Sequence, residues 1–417
     1  MNILVSGCIY GAGNIGDEAI LEGLLPLLPQ KSEVRAHAEN PALFRSVHRL
    51  RCFPTTFWGL LRGLVWADRI VLGGASLLTD PFGPWYPIQH CCRLLLWSRL
   101  MGKPVMFAGI GATKVTSNES LALARCFYST ADYFTVRNEL SKAAILSQIP
   151  YDPNRVIVSA DPAFGMQPGS LASGVRAKLT ELGIKTDERP LVGVSVVNES
   201  FADRSDYHVQ IAKACDDLVS KHNCRVVFLC SEIRDGEKFD QAASRRTARY
   251  MKQEYCALPA RFYPPQEFLD LISAFDCVIT MRMHVLILAA VAGVPAATIV
   301  REEKVLQILG ELGQKPCGTV DKAVSGEVVE QVTGFLRSRK VESARLLRAV
   351  KAQRERLSLT RETLERWTAQ HKRANRPRAA AWFAEACRVL TRKPFAAYYS
   401  QQSPLVGGGQ SPLGAKR

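Results

Sequence analysis

Short, strongly apolar runs alternate with longer stretches of helical period along most of the chain. The apolar runs are rich in Val, Ile and Leu and lack a regular polar alternation, which is typical of strands buried on both faces of a sheet. They lie at 2–7, 69–72, 105–111, 133–139, 156–158, 191–197, 225–230, 275–280 and 296–300. Helical stretches lie between them, at 56–66, 86–101, 206–221, 239–254 and 266–274. This alternation predicts an α/β fold with doubly wound parallel sheets.

The alternation is interrupted once, near residues 168–190, where Gly, Ser and polar residues precede a new strand. A chain of 417 residues is long enough for two domains. We therefore expect two Rossmann-like domains, at 1–170 and 188–335, which face a cleft in a glycosyltransferase-B-like architecture. A helical, basic extension at 336–400 follows them. The remaining residues, 401–417, are rich in Gly, Gln and Pro, and we expect them to be disordered.

The turn after the predicted strand 275–280 carries Arg282 and His284, and an apolar helical run ended by Gly293 follows it. In open α/β sheets, ligands bind where the carboxyl ends of strands meet helix N-termini, which supply amide donors and a positive dipole. An arginine and a histidine at such a turn suit a small dianion. The alternative is structural: Arg282 pairs with a neighbouring carboxylate, and His284 is a packed polar residue.

A glycine-rich loop follows the first predicted strand. It contains Gly13, Asn14 and Gly16 in a G-x-G-x-x-G pattern, and Asp17 and Glu18 come directly after it. This pattern between a strand and a helix is typical of dinucleotide sites, but here two carboxylates would face the pyrophosphate. An equally weighted alternative is that the glycines serve only a close strand-to-helix turn.

Three further candidates lie at the ends of predicted strands in the first half of the chain. Gly73 and Gly74 place backbone amides at the carboxyl edge of the first sheet. Asp80, which follows them, is either an acid/base group or a helix cap, and the cap is the simpler interpretation. Arg137 ends a later strand, directly before a helix.

Composition narrows the class of protein. Hydrophobic residues make up 47% of the chain and charged residues 22%, which is typical of a globular protein with large cores. No apolar run is long enough to span a membrane, and no signal peptide is visible at the N-terminus. The twelve cysteines lack paired C-x-x-C spacing. We therefore expect a cytoplasmic protein with reduced cysteines and no metal site.

The net charge of +15 is concentrated near the C-terminus, because residues 337–417 carry 19 Lys or Arg and 5 Asp or Glu. In the last part of this segment, aromatic residues such as Trp382, Phe383 and Tyr398 lie among the basic ones. This pattern predicts peripheral association with an anionic membrane surface, and a plain solvated tail is the alternative. Nucleic acid is not an expected partner, because the tail is not accompanied by a known nucleic-acid-binding motif.

The ordered set of motifs resembles the polysaccharide pyruvyl transferase family over roughly residues 2–335. Each motif is short, and their order along the chain carries the resemblance. Two positions depart from the family pattern: Ala75 stands where a third glycine is usual, and Asn138 where an aspartate is common. The matching segments are 13–19, 72–80, 107–111, 135–138, 161–164, 193–196, 282–284 and 293–295.

The resemblance implies an enzyme that transfers a pyruvyl group from phosphoenolpyruvate to two hydroxyls of a sugar. The product is a pyruvate ketal on a cell-surface polysaccharide or its lipid-linked precursor, and phosphate is released. No cofactor is implied beyond phosphoenolpyruvate as the donor substrate. Arg137 and Arg282 would clamp the phosphate and carboxylate of the donor, because guanidinium groups bind both bidentately.

The resemblance also assigns the remaining candidates. His284 would lie in the donor site and act as general acid/base, since its ordinary pKa suits proton transfer near neutral pH. Asp17 and Glu18 would hold or deprotonate the acceptor hydroxyls. The loop positions on the acceptor side would be Gly13, Asn14, Gly16, Gly73, Gly74 and Asp80.

Three other functions remain open from the sequence. The two-domain architecture also permits a nucleotide-sugar-dependent glycosyltransferase, with Glu302 or Glu303 as the ribose-binding acid. A dinucleotide-dependent oxidoreductase rests on residues 11–16. A membrane-bound scaffold without activity would explain the tail, but it would not explain the arginine and histidine set.

Overall fold

The structure, a computed structural model, describes residues 1–80, 87–169, 174–198, 206–234 and 239–370. The chain forms two compact units. The first contains residues 1–12, 20–165 and the described chain from 353, and the second contains 13–19 and 166–352. Our predicted N-terminal domain included residues 13–19. The structure groups this loop with the second unit, because its backbone hydrogen bonds run to residues 231–233.

The first unit is built on a sheet whose neighbouring strands are parallel, in the order β3-β2-β1-β4-β6-β7-β8, with β5 paired to β6. The strands are β1 (Asn2–Ser6), β2 (Glu33–Ala38), β3 (Cys52–Pro54), β4 (Arg69–Gly73), β5 (Ser76–Leu78), β6 (Val105–Ala112), β7 (Tyr133–Val136) and β8 (Val156–Val158). The helices along this part of the chain are α1 (Ile15–Leu24), α2 (Pro41–His48), α3 (Phe57–Trp66), α4 (Pro87–Leu100), α5 (Asn118–Tyr128) and α6 (Glu139–Gln148).

The second unit has its own parallel sheet, in the order β11-β10-β9-β12-β13. Its strands are β9 (Leu191–Ser195), β10 (Arg225–Phe228), β11 (Cys256–Ala257), β12 (Cys277–Thr280) and β13 (Ala296–Thr298). Its helices are α7 (Val175–Glu181), α8 (Tyr207–His222), α9 (Asp240–Ala248), α10 (Pro265–Ser273), α11 (Met283–Val291), α12 (Glu303–Glu311) and α13 (Ser325–Arg337). The long helix α14 (Arg339–Ala369) follows α13, and its residues are divided between the two units at 353.

The predicted α/β fold with parallel sheets and a helical C-terminal region is confirmed. The central strands are buried along their whole length, as their apolar runs predicted, and in the first unit Phe107 stacks on Phe134 with 4.6 Å between ring centroids. Strand β2 escaped the sequence analysis, because polar residues interrupt its apolar positions. The predicted helix 239–254 is shorter, ending at Ala248.

The order of strands places a topological switch point in the second sheet. The chain passes from β9 outward to β10 and β11, then returns to β12 on the other side of β9. The carboxyl ends of β9 and β12 are therefore adjacent, with Ser195 opposite Thr280. Ligands of open α/β sheets bind at such points, because the loops that follow the two strands lead away in opposite directions.

The predictions for the C-terminal end are only partly covered. Helix α14 accounts for the first part of the predicted helical extension. The basic aromatic segment and the expected disorder at 401–417 lie outside the described residues. Among the residues that are described, no helix has both the length and the apolar character needed to cross a bilayer.

Candidate functional site

Arg282 lies at the switch point of the second unit, as the N-cap residue of α11. Its backbone is extended, with φ −95° and ψ 124°, and its N–H donates to Oγ1 of Thr280 over 3.0 Å. Helix α11 begins at Met283, two residues earlier than the apolar run alone indicated. His284 therefore lies in the first turn of the helix, where backbone amides without intrahelical partners favour an anion.

Two carboxylates hold the guanidinium of Arg282. Its Nε donates to Oδ1 of Asp240 over 2.9 Å, and its Nη2 contacts both Asp240 and Oε2 of Glu232, the latter at 3.0 Å. The pairing that we considered as a structural alternative is thus present. In the described part of the chain, Nη1 donates to no protein group, and 20% of the side chain is exposed. Carboxylates therefore fix the Nε and Nη2 groups of the guanidinium, and Nη1 has no hydrogen-bond acceptor among the described residues.

Asp240 anchors this arrangement from the first turn of α9. The residue is fully buried, and its Oδ2 accepts hydrogen bonds from N and Oγ of Ser231, both at 2.8 Å, and from N of Glu232 at 3.2 Å. Its other oxygen binds Arg282. Asp240 therefore ties the loop after β10 to the arginine at the end of β12.

Glu232 connects the two arginines of the site. Its Oε1 accepts from Nε of Arg234 over 2.5 Å, while Oε2 faces Arg282. Burial opposes ionisation of this carboxyl, but the two guanidinium groups outweigh burial and hold its pKa below the ordinary value. The pKa of Arg282 is raised in turn: burial alone would lower it, and Asp240 and Glu232 more than compensate. Both partners are therefore charged at neutral pH.

The glycine-rich loop after β1 docks onto the loop after β10. The N–H of Ile15 donates to the carbonyl of Ser231 over 2.9 Å, and the N–H of Ile233 donates to the carbonyl of Gly13 over 3.1 Å. Gly13 has φ +81°, and a Cβ there would lie 2.7 Å from Cγ1 of Ile233. Glycine is needed at this position for both reasons, so the docking itself explains one glycine of the dinucleotide-like pattern.

This docking brings Asn14 and Asp17 into the second unit. Oδ1 of Asn14 accepts from the N–H of Gly16 over 2.9 Å, and its Nδ2 donates to Oδ2 of Asp17 over 3.3 Å. Asp17 lies in the first turn of α1 and is partly exposed, whereas the neighbouring Glu18 is buried. Asn14 thus orients the carboxyl group of Asp17.

Asp17 has the most perturbed carboxyl group of this cluster. Burial raises its pKa to about 7. The attraction of Arg234 and Arg282 works against this rise, while repulsion from Glu18 and Glu232 adds to it. A carboxyl group with this pKa exchanges its proton readily near neutral pH, which is the property required of a general acid or base.

His284 packs directly against the turn that carries Asp17. A Cβ built at Gly16 would lie 2.2 Å from Nδ1 of the imidazole. Gly16 is therefore needed because its missing side chain leaves room for the His284 ring. The second unit brings together seven of the predicted site residues: Gly13, Asn14, Gly16, Asp17, Glu18, Arg282 and His284.

The other candidate arginine, Arg137, belongs to the first unit. It is 2% exposed, its Nη1 lies 3.5 Å from Oδ2 of Asp161, and its Nη2 donates to Oγ of Ser76 over 3.1 Å. A Cβ at Gly111 would lie 2.5 Å from Nη2, so the guanidinium occupies space that only glycine leaves open. Its carbonyl accepts a hydrogen bond from Arg356 of α14 at 3.4 Å.

The first unit also contains the predicted acceptor-side residues Gly73, Gly74 and Asp80. Gly74 has φ +67°, and a Cβ there would lie 1.9 Å from Ile20 of α1, so packing requires glycine. The carboxylate of Asp80 accepts bonds from N and Oγ1 of Thr116 and from N of Ser117. Burial favours the neutral form, but these bonds outweigh it and lower the pKa of Asp80. Asp80 thus anchors the loop before α5.

The sequence analysis missed Glu232, Arg234 and Asp240. The available signal was their position, since they follow β10, the strand next to β9 in a parallel sheet. No local pattern in the sequence shows that the carboxylates of this loop face Arg282. Among the described residues, no group of three or more His, Cys, Asp or Glu side chains is arranged to hold a metal ion.

Comparison with known proteins gives a family and a fold. The family model for polysaccharide pyruvyl transferase matches residues 14–303. No curated protein sequence matches the chain significantly.

Solved structures with a similar fold include a putative UDP-N-acetylglucosamine 2-epimerase from Listeria monocytogenes. Its TM-score is 0.57 at 10% identity, covering 91% of this chain and 99% of that one. The UDP-GlcNAc 2-epimerase of Neisseria meningitidis bound to UDP-GlcNAc has a TM-score of 0.54 at 12% identity, covering 86% and 100%. HepE of Anabaena in complex with UDP-glucose has a TM-score of 0.58 at 12% identity, covering 88% and 99%. At these identities the likeness establishes the glycosyltransferase-B-like fold alone.

Proposed function

Because the chain belongs to the polysaccharide pyruvyl transferase family, we propose that its donor substrate is phosphoenolpyruvate and that it forms a pyruvate ketal on two hydroxyls of a sugar. The observation that carries this proposal is the Nη1 group of Arg282, which lacks a hydrogen-bond acceptor among the described residues, at the N-terminus of α11 beside His284 and Asp17. An anion site, a histidine and a carboxyl group with a raised pKa suit the binding and proton-transfer steps of this reaction.

The donor binds at the first turn of α11. Nη1 of Arg282 and the amide groups of the turn receive the phosphate or carboxylate of phosphoenolpyruvate, since both features favour anions. Asp240 and Glu232 fix the plane of the guanidinium before the donor arrives. The two carboxylates also cancel part of the positive charge of Arg282. We therefore expect donor binding to depend more on the orientation of the guanidinium than on net electrostatic attraction.

The net reaction takes one proton from each of the two sugar hydroxyls and delivers one to the methylene carbon and one to the departing phosphate. Protonation of the methylene carbon makes the methyl group and leaves an electron-deficient C2. One sugar hydroxyl loses its proton and forms a C–O bond to C2. The second hydroxyl forms the other C–O bond as the C2–O bond to phosphate breaks, and its proton goes to the departing phosphate. We assign donation to carbon to His284 as imidazolium and proton acceptance to Asp17.

We also propose roles for Glu18, Asp80 and Arg137. Repulsion from Glu18 disfavours the ionised form of Asp17 and so helps to keep the pKa of Asp17 near 7. We retain Arg137 as a donor-binding residue and Asp80 as an acceptor-side residue. Both side chains already have protein partners, so substitution will also have a structural cost.

The nucleotide-sugar alternative has less support at the level of residues. Glu302, one of its candidate ribose-binding acids, lies 2.5 Å from both Arg301 and Lys304. Burial opposes its ionisation, but these two cations lower its pKa to about 2. Its carboxylate is therefore already neutralised by protein groups. The similar structures from Neisseria meningitidis and Anabaena hold UDP-GlcNAc and UDP-glucose, so this alternative is included in the test.

We also propose that the acceptor is linked to a lipid, with the basic tail holding the enzyme at an anionic membrane surface. The support is the charge of residues 337–417, with 19 basic and 5 acidic side chains. Deletion of 376–417 tests it. Unchanged binding to anionic vesicles at low salt would contradict a role for the tail.

Calorimetry with phosphoenolpyruvate, UDP-glucose and NAD, each titrated into the full-length protein, tests the donor. We expect phosphoenolpyruvate alone to bind, and Arg282→Ala to weaken its binding at least tenfold. Arg261→Ala is the matched control, because Arg261 is also an ion-paired arginine of the second unit, bound to Glu267. Binding of UDP-glucose without phosphoenolpyruvate would favour the glycosyltransferase.

Turnover needs a second assay, with phosphate release from phosphoenolpyruvate measured against a panel of saccharides. His284→Gln should abolish release while leaving the protein folded. His222→Gln is its control, since His222 is exposed at the end of α8. Equal loss of activity in both variants would argue against a specific role for His284.

A further inference from the structure

Helix α3 of the first unit is apolar on almost every side although it lies at the surface. Seven of its ten residues are large and apolar, and Arg62 is its one charged residue. Phe57, Trp58 and Val65 are 56%, 67% and 62% exposed. A helix that is hydrophobic all round is normally buried in a protein core or in a membrane.

The inner face of α3 fixes which side is outward. A Cβ at Gly59 would lie 2.1 Å from the carbonyl oxygen of Pro54, and one at Gly63 would lie 2.3 Å from Nε2 of His37. Because both positions lack a side chain, the helix packs closely against the strands that carry Pro54 and His37. Thr56 caps the helix, since its Oγ1 accepts a hydrogen bond from the N–H of Gly59 over 3.2 Å. The exposed face is thus held in one orientation by close packing.

The neighbouring helix extends the apolar surface. The rings of Phe57 and Trp97 lie 6.5 Å apart, centroid to centroid, and Leu100, one helical turn after Trp97, is 57% exposed. We call the set Phe57, Trp58, Leu61, Val65, Trp97 and Leu100 the α3 face. A continuous apolar surface with two tryptophans is typical of a docking site rather than of ordinary scattered exposure.

Basic residues outnumber acidic ones in the segments that carry the α3 face. Residues 41–67 contain four arginines and no Asp or Glu, and residues 87–118 contain two arginines, two lysines and no Asp or Glu. Arg99 is the buried one of these cations and pairs with Asp132. Two acids lie nearby: Asp68 accepts a hydrogen bond from the N–H of Asn2 at 2.8 Å, and Glu33 pairs with Arg35 at 2.7 Å beside the Trp66 ring. An aromatic apolar face in a basic surround complements an anionic lipid surface, where rings enter the headgroup region and cations meet the phosphates.

From this combination we infer that the α3 face is a membrane-docking surface for anionic lipids, separate from the basic tail. Trp58, Phe57 and Val65 enter the interfacial layer, and Arg62 stays at the level of the headgroups. A second copy of this chain fits less well, because two such faces would bring basic surfaces together. The inference does not depend on the transferred group or the donor.

Vesicle sedimentation of the full-length protein tests it, with phosphatidylglycerol–phosphatidylcholine vesicles against phosphatidylcholine alone. We expect binding to the anionic vesicles, and at least a tenfold lower partition coefficient for Phe57→Glu/Trp58→Glu. Val341→Glu is the matched control: Val341 is 66% exposed on α14, and its substitution should leave binding unchanged. Repeating the comparison between the native and the double glutamate face in a protein that lacks 376–417 measures the contribution of the α3 face to vesicle binding without that of the tail.

Insertion is measured independently by fluorescence quenching with brominated lipids. Trp58→Phe, a mild substitution, should lose part of the quenching measured per molecule of vesicle-bound protein. Equal vesicle binding by wild type and the double glutamate variant would overturn the inference. So would a wild-type dimer in solution that the double variant converts to a monomer, because a second copy would then cover the face.

Discussion

The imidazole of His284 fills the space that the missing side chain of Gly16 leaves: a Cβ at Gly16 would lie 2.2 Å from Nδ1. The two residues are 268 positions apart in the chain, and they lie in the first turns of α1 and α11, the helices that follow β1 and β12. Their contact means that the position of the proposed acid/base group depends on the backbone of a glycine-rich loop. This dependence is directly testable.

We expect Gly16→Ala to reduce turnover at least tenfold by displacing the His284 ring, with phosphate release from phosphoenolpyruvate as the measurement. The free energy of unfolding should fall by about 1–3 kcal/mol, as is usual for overpacking. Gly334→Ala is the control, because Gly334 lies in α13 with no neighbour within 4 Å of an added Cβ. That variant should gain up to about 1 kcal/mol and keep full activity. Equal activity of the two variants would contradict the proposed role.

Asp17→Asn should make the protein more stable at pH 8 than wild type. The pKa of Asp17 is raised to about 7 in the folded state, from an ordinary 3.8, so the native state holds its proton more tightly than the unfolded chain. Wild-type stability therefore falls as the pH rises from about 4 to 7, by roughly 2–4 kcal/mol. Urea unfolding at pH 4 and pH 8 measures this. A stability difference between variant and wild type that is the same at both pH values would refute it.

The same variant has a kinetic consequence. If Asp17 accepts a proton in the reaction, kcat/KM of the wild type should rise with an apparent pKa near 7, and this limb should be absent from the residual activity of Asp17→Asn. Asp216→Asn serves as control, since that carboxylate binds the backbone of Lys252 and Gln253 at the surface.

Asp240→Asn tests the orientation of Arg282. One oxygen would become an amide group facing the donors of Ser231 and Glu232, so we expect a loss of about 2–4 kcal/mol of stability. The dissociation constant for phosphoenolpyruvate, measured by calorimetry, should rise at least tenfold because the guanidinium loses its fixed plane. Asp240→Glu should recover part of the affinity. Full affinity in Asp240→Asn would show that Arg282 needs no orienting partner.

Asp80→Ala should have the opposite pH dependence from Asp17→Asn. Its pKa is lowered in the folded state by hydrogen bonds from Thr116 and Ser117, so its contribution to stability is present above its ordinary value of 3.8 and is lost as the pH falls below it. We expect about 1 kcal/mol less stability than wild type at pH 7, and a smaller difference at pH 3.5. A constant difference across this range would indicate that the carboxylate charge is irrelevant to the anchor.

The local order of the chain was largely readable from the sequence. Apolar β-branched runs identified the buried strands, since a parallel sheet covered on both faces requires such runs. The turn from β12 to α11 was identified because a short apolar strand precedes Arg282 and an alanine-rich helix follows it. Here the chemistry of a site and the local folding signals coincide in one segment.

Only the tertiary structure decided which groups meet at that turn. Asp240 and Glu232 face Arg282 because β10 lies beside β9 and β9 beside β12, and strand order is not encoded by hydrophobic period. The loop 13–17 docks beside residues 231–233 through backbone hydrogen bonds, which leave no pattern of hydrophobic and polar side chains in the sequence. The glycines of this loop match a dinucleotide-binding pattern. A sequence shows that a glycine lacks a side chain, but it does not show whether a ligand or another protein group occupies the space beside it.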